Sequence, residues 1–321
     1  MRRDIQNQNY WTQRGLIQTV RSEQQAQEGL LRIKAIYEQS LFNVQQEISN
    51  YYVKYSKQTG LAVDELTHIL SGSEKADFLI KIQKRLKKLG FNYKDIYNPN
   101  YVNQISRLTA IRQQLYWEIM QLAPVEGEIA KQTFMRVAQT SYISTLQDLG
   151  VNITFGYAST KVAKEMLKKP FYNKLFSEYL WGHIDQFATR LQTTLGGALS
   201  MGQSYQKTIR QVQDQFGVAK RDSARVVLTE SSFFYNQAKL QAYKEQGVEK
   251  YRYMATLDSR TSKICKKLNG KIFNLSEAEA GINYPPMHPY CRSYPEPIIS
   301  ASIDGRIRRR VAEYESGEKN T

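Results

Sequence analysis

The segment from Thr256 to Arg292 concentrates the side chains that can do chemistry. It contains both cysteines of the chain, Cys265 and Cys291, and one of its three histidines, His288. Thiolate and imidazole groups are soft ligands of the kind that bind Zn²⁺. Such a cluster is not expected by chance, so we take this segment as the candidate site.

The same segment also offers groups for catalysis. Asp258, His288 and Arg292, with Glu230 from the preceding helix, suggest a metal-dependent nuclease or other hydrolase centred on Asp258 and His288. A cysteine paired with His288 can also serve as a nucleophile. However, the chain has no phosphate-binding loop, zinc-protease motif or nucleophile elbow. We therefore predict that the protein is not an enzyme, with the hydrolase as the alternative.

Three motifs of the segment resemble the C-terminal module of the phage head morphogenesis family, the Mu-F-like minor head proteins. They are DSRTSKIC (258–265), LNG (268–270) and PPMHPYCRS (285–293). The preceding helix also fits, because a Thr-Glu pair at 229–230 is followed by Asn236. The resemblance is specific over about residues 180–297. For residues 1–150, the only support for the resemblance is that this region is helical and basic.

A structural role accounts for these motifs without catalysis. Asp258 can accept backbone hydrogen bonds or pair with an arginine, and Gly270 suits a turn that needs a positive φ. Prolines fix an extended loop, and His288 can bridge a carboxylate and a carbonyl. We assign this bracing role to Thr229, Glu230, Asn236, Asp258, Arg260, Gly270, Pro285, Pro286, His288, Cys291 and Arg292.

Two departures from the family pattern concern the cysteines. Ser262 and Ser293 stand where the family often has further cysteines, and the full set of thiols with one imidazole could hold a tetrahedral zinc. Here Cys265, His288 and Cys291 remain, with Asp258 as the nearest oxygen ligand in the sequence. Three possibilities stay open: no cofactor and two buried apolar thiols, a weak structural zinc site, or a disulfide.

The resemblance implies a minor structural protein of a tailed-phage head. Such a protein associates with the portal protein and with capsid or scaffold proteins. It enters the procapsid in few copies and lies in the capsid interior near the portal vertex, after synthesis in the host cytoplasm. It acts in procapsid assembly, in DNA packaging and ejection, or in both.

The charge of the chain is consistent with contact to double-stranded DNA. Lys+Arg 45 against Asp+Glu 30 gives 45 − 30 = +15, and a basic surface attracts polyanions without sequence preference. No recognition motif for particular bases is evident, so a stand-alone host DNA-binding protein is a third possibility. No apolar run is long enough to span a bilayer, and no secretory signal is evident, so no membrane contact is expected. The candidate DNA-binding residues are Lys81, Lys84, Arg85, Lys87, Lys88, Arg308, Arg309 and Arg310.

The elements that must position these residues are mainly helices. Apolar residues spaced three and four apart from Leu30 to Tyr55 predict a long amphipathic helix. The glutamine-rich residues 1–29 predict an arm that is mobile or helical only when docked. Further helices are predicted over 78–89, 105–122, up to 149 and 180–199, and then two helices that meet at Gly217.

The helical pattern ends near residue 248. From 248 to 256 the residues alternate in the manner of a strand, which predicts one here. Residues 271–273 predict a second strand. The predicted fold is therefore mainly α: a long-helix body with a small C-terminal, loop-rich α+β module. The predicted domains are 1–150 (helical N-terminal region), 151–247 (helical body), 248–297 (Mu-F-like module) and 298–321 (basic, mobile tail).

Overall fold

Helices dominate the computed structural model, which describes residues 2–57, 60–153, 156–171 and 174–299. The three tail arginines Arg308, Arg309 and Arg310 lie outside the described residues. The helices are α1 (Arg2–Tyr55), α2 (Val63–Leu66), α3 (Gly72–Lys88), α4 (Tyr93–Ile96), α5 (Pro99–Asn103), α6 (Arg107–Met120), α7 (Leu122–Asp148), α8 (Tyr157–Met166), α9 (Phe176–Ser200), α10 (Tyr205–Glu245) and α11 (Lys263–Leu268). None of the helices in the described residues is both long and apolar enough to cross a membrane.

The strands form two small sheets. β1 (Ser56–Lys57) and β2 (Gly60–Leu61) pair as a short antiparallel ribbon. β3 (Lys250–Met254), β4 (Ile272–Asn274) and β5 (Tyr294–Ile298) form an antiparallel sheet in the order β4-β3-β5. A 3₁₀ turn, Leu275–Glu277, follows β4. The predicted fold class, a helical body followed by a small α+β module, is confirmed.

One local prediction is wrong, and the structure decides between the two states predicted for the N-terminal arm. The predicted break at Gly217 is wrong, because α10 runs through this position without interruption. A glycine in a helix costs about 1 kcal/mol, and Phe216 and Ala219 are fully buried beside it, so packing outweighs the local preference. Of the two states expected for the N-terminal arm, the docked helix is the one observed, since α1 already begins at Arg2.

Tertiary contacts divide the chain into two compact units. Unit 1 comprises Met1–Leu30, Ala130–Phe176 and Arg225–Thr321, and unit 2 comprises Leu31–Ile129 and Ser177–Ala224. In unit 2, Phe78, Ile82 and Leu86 of α3 pack in one buried cluster with residues that include Ile105 and Ala110.

The core of unit 1 joins the start of α1 to the C-terminal module. Tyr10 and Trp11 share a buried cluster with Tyr243, Tyr251 and Tyr284. The sheet and the candidate site are thus built on a core to which distant parts of the sequence contribute.

Polar contacts fix the same end of α1. Arg14 Nε donates to Asp148 Oδ1 over 2.6 Å, at the end of α7. The Tyr10 hydroxyl donates to the Asp148 carbonyl over 3.3 Å. Lys239 Nζ, in α10, donates to Gln18 Oε1 over 2.8 Å. The start of α1 is therefore held by hydrogen bonds as well as by apolar packing.

Gly15 marks a close approach of α1 to Tyr294 of β5. A Cβ atom added at Gly15 would lie 2.1 Å from the buried Tyr294 ring. We expect Gly15→Ala to lower the free energy of unfolding by about 1–3 kcal/mol, because the ring or the helix must shift. Chemical denaturation followed by circular dichroism measures this change.

Gly182, within α9, provides the matched control. A Cβ atom added there meets nothing within 4 Å. Gly182→Ala is therefore expected to raise the free energy of unfolding by about 0.5–1 kcal/mol, since alanine favours the helix. Effects of the same sign for both substitutions would contradict the close approach at Gly15.

Candidate functional site: the Cys265, His288 and Cys291 cluster

The three soft ligands of the C-terminal module converge at one point. Cys265 Sγ lies 3.2 Å from His288 Nε2 and 3.7 Å from Cys291 Sγ. All three ligand atoms lie within 4.8 Å of one another, and the two cysteines are free and buried. Within the part of the chain that the structure describes, no other group of His, Cys, Asp or Glu side chains converges in this way.

Local hydrogen bonds position Cys265. Ser262 is the N-cap of α11, and its Oγ accepts a hydrogen bond from the Cys265 backbone N over 3.2 Å. The Tyr253 hydroxyl, from the central strand β3, donates to Cys265 Sγ over 3.2 Å. Asn269 Oδ1 accepts from the Ala255 backbone N over 2.9 Å, which joins the end of α11 to the end of β3. Ser262 thus acts as a helix cap.

One face of α10 holds the loop that carries His288 and Cys291. Thr229, Ser232 and Asn236 are spaced three and four residues apart, so they lie on the same side of the helix. Thr229 Oγ1 accepts from the Tyr290 backbone N over 3.2 Å, and Ser232 Oγ donates to the Cys291 carbonyl over 2.7 Å. Asn236 Nδ2 donates to the Ser293 carbonyl over 3.3 Å. Three polar side chains on one face of α10 therefore fix the position of the loop along the helix.

Tyr284 anchors the start of this loop. Its ring is fully buried, and its hydroxyl donates to the Asn236 carbonyl over 2.9 Å. Pro285 and Pro286 follow, both buried and joined by a cis peptide bond. His288 Nδ1 lies 2.7 Å from the Pro289 carbonyl oxygen. This distance identifies Nδ1 as the protonated nitrogen, which leaves the Nε2 lone pair facing Cys265. His288 thus bridges a carbonyl and a thiol, not the expected carboxylate.

Asp258 braces the turn after β3 and does not join the cluster. Arg292 Nη2 donates to Asp258 Oδ2 over 2.5 Å, and the Arg260 backbone N donates to Oδ1 over 2.8 Å. The Arg292 hydrogen bond is the main cause that lowers the pKa of Asp258 to about 2. The carboxylate is committed to these donors, so the structure does not offer it as the fourth metal ligand considered from the sequence.

Gly270 and Glu230 also have positions that suit a structural role. Gly270 has a φ of +80°, and its backbone N donates to the Tyr253 carbonyl over 2.8 Å. Glu230 is buried, and burial raises its pKa to about 8. A carboxyl group with this pKa is largely protonated at neutral pH and is a poor ligand for a hard cation.

The two thiols differ in their electrostatics. The hydrogen bond from Cys291 lowers the pKa of Cys265, and the same hydrogen bond together with burial raises the pKa of Cys291. Cys265 is therefore the more acidic of the two thiols.

The predicted basic cluster on α3 separates into two sets. Lys84, Lys87 and Lys88 are exposed on one side of the helix, and Lys81 is partly exposed and lies 3.2 Å from Asp77. Arg85 is different, because it is buried and forms ion pairs with Glu47 and Glu118. Its guanidinium faces the interior of unit 2, so we leave Arg85 out of the candidate DNA-contacting set.

Sequence reasoning did not single out Ser232, Tyr253 or Tyr284 as parts of the site. The spacing of Ser232 relative to Thr229 and Asn236 was a usable signal, since all three are small polar residues on one helix face. No comparable signal marked Tyr253 or Tyr284 among the 22 tyrosines of the chain.

Comparison with known proteins agrees with the motif resemblance. Residues 189–294 match the family model described as Phage Mu protein F like protein. The match contains all three cluster residues and the α10 face that holds the loop. No curated protein matches the chain significantly, and no solved structure does so either. The resemblance of this segment to the Mu-F-like head morphogenesis family is therefore confirmed.

Proposed function

We propose that the protein is a minor structural protein of a tailed-phage head that associates with the portal protein. It acts in procapsid assembly, in DNA packaging and ejection, or in both, and it resides in the capsid interior near the portal vertex. The observation that carries this proposal is the match of residues 189–294 to the phage Mu F-like family. The bracing contacts of Asp258 and of the α10 face support a non-catalytic role for the matched segment.

Co-purification tests the proposed partner. Co-expression with the portal protein of the same phage is expected to yield a complex that survives affinity purification and gel filtration. A capsid or scaffold protein from the same source, tested in parallel, distinguishes portal association from binding to the shell. A protein that elutes alone in both experiments would contradict the structural role.

Non-specific DNA contact is supported by the exposed lysines of α3. Lys84, Lys87 and Lys88 lie three and four residues apart, so their ammonium groups form one basic face. Phe78, Ile82 and Leu86 occupy the opposite, buried side. The apolar side fixes the helix, and the basic side is left to approach phosphates.

We expect the purified protein to retard duplex DNA at low salt without sequence preference. Neutralising the basic face by Lys84→Gln, Lys87→Gln and Lys88→Gln should weaken binding. It should also reduce the slope of log K against log salt by about 3, because each lysine that neutralises a phosphate adds roughly one to that slope. Fluorescence anisotropy at several salt concentrations measures both quantities.

A charge-matched variant separates the basic face from net charge. Lys34, Lys94 and Lys207 are exposed and lie on three different helices. Their joint replacement by glutamine removes the same charge and should leave most of the binding intact. Equal losses of DNA affinity in the two variants would show that net charge, and not the basic face of α3, causes the binding. Unchanged DNA binding by the α3 variant would remove this face from the proposal.

The hydrolase alternative is tested with the same protein. DNA incubated with it in Mg²⁺, Mn²⁺ or Zn²⁺ is expected to stay intact, because Asp258 and Glu230 are not gathered with His288 into one ligand group. Cleavage that disappears in His288→Ala would overturn the non-catalytic proposal.

A further inference from the structure

We propose that Cys265, His288 and Cys291 bind one Zn²⁺ ion, with a water molecule as the fourth ligand. The inference is independent of the proposed function, because it rests on the geometry of the module alone. Four properties of the module support it: the spacing of the ligand atoms, the tautomer of His288, the cleft beside the cluster and the balance of charge.

Two of the spacings between the ligand atoms are close to the edges of a tetrahedron around zinc. Zn–S bonds of about 2.3 Å place two thiolate ligands about 3.8 Å apart at a tetrahedral angle, and the two Sγ atoms are 3.7 Å apart. A Zn–N bond of about 2.0–2.1 Å gives a sulfur–nitrogen edge of about 3.5 Å, against the observed 3.2 Å. A disulfide requires an S–S distance of about 2.05 Å, so the thiols are not in bonding geometry.

The tautomer of His288 is the one that a metal requires. Nδ1 lies 2.7 Å from the Pro289 carbonyl oxygen and donates its proton to it. The Nε2 atom, which faces Cys265, therefore carries the free lone pair. A metal-bound histidine generally donates its other N–H to a carbonyl or carboxylate, which fixes the ring and strengthens the ligand.

The fourth position opens onto a small cleft. Thr261, Ser262, Arg292 and Ser293 line this cleft together with Cys265 and His288, and its volume of about 10 Å³ is roughly the smallest that can hold one water molecule. Asp258 is occupied by Arg292 and by the Arg260 backbone. Solvent, not the carboxylate, is therefore the ligand that this arrangement admits.

The charge of the site also balances. Zinc with two thiolates and a neutral imidazole carries no net charge, so the site needs no further counter-ion. On binding, each thiol releases its proton to solvent and no electron transfer is needed. The ion would tie α11 to the loop before β5, in a module that has little apolar core of its own.

Metal analysis of protein purified without chelators tests the proposal. We expect one zinc per chain by mass spectrometry, and background levels in Cys265→Ser, Cys291→Ser and His288→Ala. Met287→Leu is the matched control, because Met287 is buried beside the two cysteines and donates no ligand in the proposed site. This variant should keep its zinc.

A second measurement does not depend on the folding of the variants. Cobalt added to zinc-free wild-type protein should give a near-ultraviolet thiolate-to-cobalt charge-transfer band and the visible spectrum of a tetrahedral site. Background zinc together with no such band would overturn the proposal. A mass lower by two hydrogens with no titratable thiol would do the same, in favour of a disulfide. Full zinc content in the Cys265→Ser variant would also contradict the ligand assignment.

Discussion

Replacing Arg85 by methionine is expected to lower the free energy of unfolding by about 3 kcal/mol, because it leaves two partly buried carboxylates without their counter-ion. Arg85 donates through Nε to Glu118 over 2.9 Å and also pairs with Glu47. Methionine has a similar helix propensity and similar length, so the loss reflects the charges and not the helix. Urea denaturation followed by circular dichroism measures the change.

Two further variants identify the cause. Lys84→Met makes the same kind of substitution at an exposed neighbour on α3, and it should change stability by less than about 0.5 kcal/mol. Adding Glu47→Gln and Glu118→Gln to Arg85→Met removes the uncompensated charges and should restore much of the stability. If Arg85→Met and Lys84→Met had equal effects, Arg85 would belong with the solvent-exposed lysines after all.

Replacing Tyr284 by alanine should produce the second large effect, a loss of about 3–5 kcal/mol in the free energy of unfolding. The ring is fully buried and lies edge-on to Tyr251, with centroids 5.0 Å apart. Its removal opens a cavity in the core of unit 1 and frees the loop that leads to His288. Denaturation followed by tryptophan fluorescence, to which Trp11 of the same cluster contributes, measures this loss.

The conservative variant Tyr284→Phe separates packing from hydrogen bonding. It keeps the ring and removes only the hydroxyl that donates to the Asn236 carbonyl over 2.9 Å. A loss of about 1 kcal/mol is expected from this hydrogen bond. A loss as large as that of the alanine variant would show that the hydroxyl, and not the volume of the ring, anchors the loop.

The strand β5 shows where local sequence rules fail. Its sequence, YPEPI, contains two prolines, which disfavour a strand in any position that needs the backbone N–H. It is observed at the edge of the three-stranded sheet, where Pro295 pairs with Tyr253 and Pro297 with Tyr251. An edge strand has one side without a partner, so prolines are tolerated there. The sequence does not reveal that an edge is available at this place.

The candidate site was only partly predictable for a related reason. The types and spacing of Asp258, His288 and Cys291 identified the segment, because such residues rarely occur together in a short module by chance. Which groups meet was not predictable. Asp258 was considered as a metal ligand and is instead bound by Arg292, because the turn after β3 brings the arginine to the carboxylate.

The basic cluster on α3 was unpredictable for the same reason. Five positive charges in 81–88 look equivalent in the sequence. Arg85 projects to the side occupied by Ile82 and Leu86, and acidic residues on α1 and α6 neutralise it there. Only contacts with other helices distinguish a buried ion pair from a surface charge.

Local patterns in the chain were enough to establish the class of fold, the place where the helical body gives way to a small α+β module, and the family that this module resembles. These properties follow from periodicity and from short motifs, which act over a few residues. Packing in three dimensions was needed to establish that the start of α1 lies in the core beneath the module, that α10 continues through Gly217, and that two cysteines and one histidine converge while Asp258 does not. Each of these outcomes depends on side chains being buried against residues far away in the chain. The free energy gained by that burial is not encoded in any local pattern.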